Sequence, residues 1–141
     1  MILLAMILAA APVPAADEAA VLAVAEEMLG TLKSKDSAKM LALTLPEGGA
    51  TAVGEGKLHH FSWAQFVEHL PKDPNVVVEE RLFDPLVRVD GDVAVVWGRY
   101  DVSVNGKFLH CGTDHFDMVR TGGKWRILNI TWNQVTEGCT K

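Results

Sequence analysis

Several things are scarce in this chain of 141 residues: it holds one tyrosine, two cysteines and no run of consecutive lysines or arginines. Without a basic footprint, and with a net charge of -5, it does not suit nucleic acid or an anionic membrane surface, both of which need concentrated positive charge. No apolar run approaches the ~20 residues that a membrane-spanning helix requires. The cysteines form no CxxC pair, which leaves no sequence sign of a zinc ribbon or a thioredoxin-type redox centre.

The apolar content, 49% of the residues with 22% charged, suits one globular domain with a sizeable core. Ahead of it lies an apolar stretch, Ile2 to Ala11, then Pro12, Pro14 and small residues before the first charges at Asp17 and Glu18. This reads as a secretory signal peptide over residues 1–16, cut after Val13-Pro14-Ala15 or Pro14-Ala15-Ala16, although no basic residue precedes the apolar run. A periplasmic or secreted location follows, with no membrane attachment after cleavage. Export makes a Cys111–Cys139 disulfide plausible, against the alternative of a buried strand cysteine and a free thiol in the tail.

The first half reads helical. Val21, Val24, Ala25, Met28, Leu29 and Leu32 recur at helical spacing, and Asp36 can cap a second short helix through Leu43. Pro46, Gly48, Gly49, Gly54 and Gly56 break the chain around a short strand at 50–53. Ser62-Trp63-Ala64-Gln65 is a capping box with Phe61 and Phe66 at staple positions, so a helix is expected from Trp63 to Leu70, ending at Pro71.

From Val76 the hydrophobic period becomes two, and Asp90-Gly91, Asn105-Gly106 and Gly122-Gly123 divide the rest into an antiparallel meander. With two-residue turns, Val89 faces Asp92, Val104 faces Lys107 and Thr121 faces Lys124. That register puts Asp84, Trp97, Asp114 and Thr131 in one row, with Arg99 beside Gly112 and His110 opposite Asp101. Tyr100 falls on the other face.

The helical phrases KSKDSAKMLAL and FSWAQFVEHL, followed by DVAVVWGRYDVSVNGKFLHCGTDHFDMVRTGGKWRILNITW, resemble the nuclear transport factor 2-like superfamily, which includes SnoaL-like cyclases and ketosteroid isomerases. The resemblance covers most of residues 17–141. It implies an α+β, cystatin-like fold, with N-terminal helices in the concave side of a strongly bent antiparallel sheet, an internal pocket, and a homodimer packed through the sheet's outer face. On this register the dimer face would carry Tyr100, Leu109, Ile130 and Trp132.

Asp114 is the candidate for chemistry, because a carboxylate beside Trp97 and Phe116 is desolvated and so moved toward a useful general-base range. Arg99 is its expected partner, and Asp84, Trp97, His110, Phe116, Asn129 and Thr131 are expected to line a ligand site. The isomerase pairing of an acidic base with a tyrosine does not transfer unless a bulge flips the strand. His59-His60 reads as solvated filler, and no metal or other cofactor is expected. The preferred reading is an exported domain that binds a small, largely apolar ligand without catalysis. The alternative is an isomerase, cyclase, dehydratase or hydrolase using Asp114 with Arg99.

Overall fold

A computed structural model describes residues 15–139. The expected leader lies outside these residues except for positions 15 and 16, with which the first helix starts. Helix α1, Ala15–Ser34, carries Val21, Ala25, Met28, Leu29 and Leu32 into the core. Helix α2, Ser37–Ala42, is capped by the Asp36 side chain, which accepts from the Lys39 N–H at 2.9 Å. Strands β1, Thr44–Gly54, and β2, Lys57–Ser62, form a hairpin. Helix α3, Trp63–His69, starts in the expected capping box, with Ser62 and Gln65 exchanging hydrogen bonds of 3.0 and 3.2 Å.

The meander follows as β3, Val78–Asp90; β4, Val93–Val104; β5, Lys107–Thr121; and β6, Lys124–Asn133. All six strands form one curved, unclosed sheet in the order β2-β1-β6-β5-β4-β3. Helix α1 lies across its concave side, mainly against β3. The core fills the space between: α1, Met40 and Trp63 pack on Val96, Phe116, Met118, Ile127 and Ile130.

The strand at 50–53 is longer than expected, and the glycines around it do not break it. β1 runs parallel to β6, and a Cβ added at Gly48 would lie 1.7 Å from the Leu128 carbonyl oxygen, while one at Gly49 would lie 2.1 Å from that of Phe61. Backbones that approach so closely leave space only for hydrogen atoms, which is the reason these positions are glycine. His59 and His60 belong to β2 and not to a loop, and the His60 imidazole hydrogen-bonds the Thr51 hydroxyl across the hairpin at 2.8 Å.

Two of the three turns have the expected register, Val104 opposite Lys107 and Thr121 opposite Lys124. The first is displaced by one residue: Asp90 pairs with Val93, so Gly91-Asp92 forms the loop and Val89 pairs with Ala94, not Asp92. Gly91 supplies the positive φ, 56°, that the turn requires.

Three bulges within the meander alter its faces. In β3 the register shifts between Phe83 and Leu86, where Asp84 takes φ 45° before Pro85. In β5, Ser103 pairs with Phe108 but Val102 with His110, so Leu109 is the extra residue. In β6, Asp117 pairs with Asn129 but Met118 with Ile127. An extra residue inverts alternation downstream of it. The Leu109 bulge therefore brings Tyr100, not Arg99, opposite Gly112, and Gly98, not Trp97, opposite Asp114.

Candidate functional site

The inner face of the sheet, after these shifts, carries Glu80 and Leu82 from β3, Gly98, Tyr100 and Val102 from β4, and His110, Asp114 and Phe116 from β5. Asp114 has no exposed surface, and Trp132 on β6 stands directly across from it. Both of its carboxylate oxygens are buried with no hydrogen-bond partner among the described residues.

The ionisable group that interacts with it is another acid, Glu80, and solvent still reaches part of that residue. Burial raises the Asp114 carboxyl to about 7, and the interaction with Glu80 offsets part of that rise. Glu80 is raised well above the usual carboxylate range, first by burial and then by the negative charge of Asp114. As carboxylates both groups only accept hydrogen bonds, so the pair can bond to itself only by holding a proton.

Tyr100 is 1% exposed, and its hydroxyl donates to the Asn133 carbonyl at 2.9 Å. That proton being committed, His110 Nδ1, 3.2 Å away, donates to the same hydroxyl oxygen and carries the hydrogen. Burial lowers the His110 pKa, in keeping with a neutral ring. Burial raises the Tyr100 pKa, and the charges of Glu80 and Asp114 add to it. Tyr100 thus sits in the field of both acids. The segment that accepts its proton is itself tied down: Cys111 and Val135 exchange two backbone hydrogen bonds of 2.9 Å, and Cys139 is joined to Cys111 by a disulfide. Of the two readings open for the cysteines, the structure has the bridge.

The sequence-based candidates divide between the faces. His110 and Phe116 share the inner face with Asp114. Arg99 does not: it pairs with Phe83 and Thr113 on the outer face and cannot balance the Asp114 charge. Trp97 is also outside, 54% exposed and tilted against the His115 ring at 5.9 Å. Thr131 pairs with His115 in the same outer row, Asn129 donates to Asp117 at 3.1 Å, and Asp84 lies exposed in the β3 bulge. His110 pairs with Val102, while Asp101 pairs with Cys111 and takes two hydrogen bonds from Arg81. The row of Asp84, Trp97, Asp114 and Thr131 is therefore not formed.

The expected dimer face changes for the same reason. Tyr100 and Ile130, 4% exposed, lie in the interior, Trp132 packs against the core, and only Leu109 is exposed. The large apolar side chains that the outer face presents include Phe83, Leu86, Val93 and Trp97, with Phe108 toward the β4–β5 hairpin tip.

Glu80 and Tyr100 are the residues that sequence reasoning did not bring to Asp114. No local signal marks the Leu109 bulge, because Phe108 and Leu109 are both half exposed and adjacent apolar residues also occur where the register is unbroken, as at Val95-Val96.

A cleft of about 200 Å³ opens between the ends of α1 and α3 and the start of β3, lined by Leu32, Val67, Leu70 and Val78, with Lys35 and Lys72 at its rim. Val78 lies two residues before Glu80 on the same face of β3, a step of roughly 7 Å. Among the described residues no three His, Cys, Asp or Glu are grouped to hold a metal, and no helix is long and apolar enough to cross a membrane.

Residues 16–133 match the family model described as "Putative lumazine-binding". No curated protein matches the chain. Similar solved structures include a cystatin-like-fold protein of unknown function from Nostoc punctiforme PCC 73102, with a TM-score of 0.71 at 12% identity over 88% of this chain and 95% of that one. A "putative dehydratase from the NTF2-like family" from Streptomyces avermitilis has a TM-score of 0.68 at 15% identity, over 85% and 96%. A "putative calcium/calmodulin dependent protein kinase II association domain" from Xanthomonas campestris has a TM-score of 0.67 at 24% identity, over 92% and 94%. At these identities the likeness shows the fold, which is the nuclear transport factor 2-like, cystatin-like cone.

Proposed function

Because this chain belongs to the putative lumazine-binding family of the nuclear transport factor 2-like superfamily, we propose that it is an exported domain that binds a small organic molecule on the inner face of its sheet. One observation carries this reading: Asp114 is fully buried with no donor to either oxygen. An unsatisfied buried carboxylate costs several kcal/mol, and structures that retain one commonly use it on a ligand. An apolar cleft lined by Leu32, Val67, Leu70 and Val78 opens where the same face meets the helices. The family description, small-molecule binding, points the same way.

The apolar outer face would be covered by a second copy. Phe83, Leu86, Val93 and Trp97 replace the dimer residues expected from the uncorrected register. Export to the periplasm or beyond rests on the leader and on the Cys111–Cys139 bridge, a bond that oxidising compartments preserve.

A second reading, acid–base catalysis, is favoured by the carboxyl near neutrality and by the lone tyrosine on the same face. Arg99 takes no part in it. Native mass spectrometry of the mature protein equilibrated with a metabolite extract tests the first reading. The expected result is a bound species in the wild type that is weakened in Asp114→Asn, and its absence from the wild type would overturn the proposal. Retained binding with lost conversion of that species in Asp114→Asn would establish the second reading.

A further inference from the structure

The His59-His60 doublet divides between the two faces of the β1–β2 hairpin. His60 pairs with Thr51 and hydrogen-bonds its hydroxyl, whereas His59 pairs with Ala52 and shares the other face with Lys57, which pairs with Gly54. Those four residues line one wall of a cleft of about 580 Å³, within the range of small-molecule sites. The facing wall is the C-terminal tail, through Gln134, Val135, Thr136 and Glu137.

This tail is anchored without serving the core. All four of its lining residues are exposed and none belongs to the buried cluster. Yet the Gln134 N–H donates to the Val53 carbonyl at 2.9 Å, Val135 exchanges two backbone hydrogen bonds with Cys111, and the Cys111–Cys139 bridge secures the end. Gly54 belongs to the same arrangement: a Cβ there would come within 3.3 Å of the Gln134 carbonyl oxygen, so the glycine lets the tail lie close against the hairpin. What the anchoring produces is a fixed second wall for the cleft.

The lining is dipolar. β2 brings the Lys57 ammonium and the His59 imidazole, and the tail brings the Glu137 carboxylate with the neutral side chains of Gln134 and Thr136. A second carboxylate, Glu55, lines the cleft from the hairpin turn, at φ 50°, where Asn or Gly is ordinarily favoured. Opposite charges thus line one space without neutralising each other, since among the described residues Glu55, Lys57 and Glu137 enter none of the ion pairs.

We propose that this cleft is a second binding site, independent of the inner-face proposal, for a small zwitterion bearing a free ammonium and a free carboxylate, the chemistry of an amino acid or a short peptide. Its carboxylate is held by Lys57 and His59 and its ammonium by Glu137 and Glu55. An anion would satisfy the β2 wall and be opposed by the acids, and a cation would satisfy the acids and be opposed by Lys57. A zwitterion forms charge-assisted hydrogen bonds with both walls. The disulfide contributes by holding the wall that carries Glu137.

The test titrates the mature, disulfide-bonded protein with L-leucine, the dipeptide Ala-Leu, 4-methylpentanoate and isopentylamine, reading dissociation constants from the amide NMR shifts of Ala52, Lys57, His59, Gln134 and Glu137. At least one zwitterion should bind more tightly than either singly charged probe, and which of the two binds better separates amino acid from peptide. Lys57→Gln and, independently, Glu137→Gln should each weaken it about fivefold. Reducing the bridge should abolish the shifts in protein that keeps its sheet by circular dichroism. A singly charged probe that binds as tightly as both zwitterions overturns the ligand assignment, and binding that survives reduction overturns the role of the tail. Failure of all four probes to move these amides overturns the site and leaves the inner-face proposal standing.

Discussion

Asp101 and Asp114 lie on strands that neighbour each other, yet they face opposite environments. Asp101, on the outer face, is held by the Arg81 guanidinium through hydrogen bonds of 3.1 and 2.7 Å, and Arg81 itself is largely in solvent. Asp114, on the inner face, is sealed from solvent with another acid as its ionisable neighbour. The two faces use the same alternation of one sheet. The outer face tolerates charge because water and a partner stabilise it, whereas the inner face retains a carboxyl at a cost to folding. Stability alone does not explain such a residue, which is why function is sought on the inner face.

The largest contrast between the faces should appear on truncation. Phe116→Ala, on the inner face, should cost about 3–5 kcal/mol of folding free energy in urea denaturation, since Phe116 is fully buried in the core. Trp97→Ala, on the outer face, should change the stability of the single chain by no more than about 0.5 kcal/mol. Opening the disulfide by Cys139→Ser should cost about 3 kcal/mol, because the bridge closes a long loop with a sequence separation of 28.

Asp114→Asn should have the opposite sign, stabilising the protein at pH 8 by roughly 2–3 kcal/mol. Its folded carboxyl titrates at about 7, above the ~3.9 of an unfolded aspartate. Between these values the folded state holds the extra proton, so wild-type stability rises as pH falls from about 7 toward 4, and the advantage of the variant disappears there. A variant that is no more stable than wild type at pH 8 would show that Asp114 is already satisfied. Trp97→Lys should convert a dimer to a monomer in sedimentation velocity without affecting the inner face, and a wild-type protein that is already monomeric at every concentration removes the outer-face proposal. The smallest effect should be that of Arg81→Ala, a barely measurable loss of stability that vanishes in high salt.

The helices and two of the three turns were legible because their signals are local. A capping box at Ser62–Gln65 and an Asp36 cap act over three residues, and Asn105-Gly106 and Gly122-Gly123 fix their turns by positive φ alone. The α+β cone was likewise legible from the change of period at Val76 and the family resemblance. What escaped was parity. Asp90-Gly91-Asp92 allows a two-residue turn in either of two frames, and the difference is one residue of pairing. The extra residue at Leu109 is marked by no strong local preference, and it reversed which β4 residues accompany Asp114. Asp114 itself was recognised because an acid among apolar residues is conspicuous in any register. Its neighbours Glu80 and Tyr100 were not, because their proximity depends on long-range pairing. The parallel pairing of β1 with β6 was invisible for the same reason, since glycines that permit close backbone approach look, in sequence, like glycines that end a strand.

The bulge at Leu109 has one more effect, on how the chain can vary. It lies between the Asn105-Gly106 tip and Asp114, and it stores one residue more than the β4–β5 pairing uses. If a residue is deleted from that tip, the bulge can be ironed flat to compensate, and the pairing of Gly98 with Asp114 stays as it was. The hairpin end is thus a length buffer: one residue can be lost there while the acid deeper in the sheet keeps its place and its face.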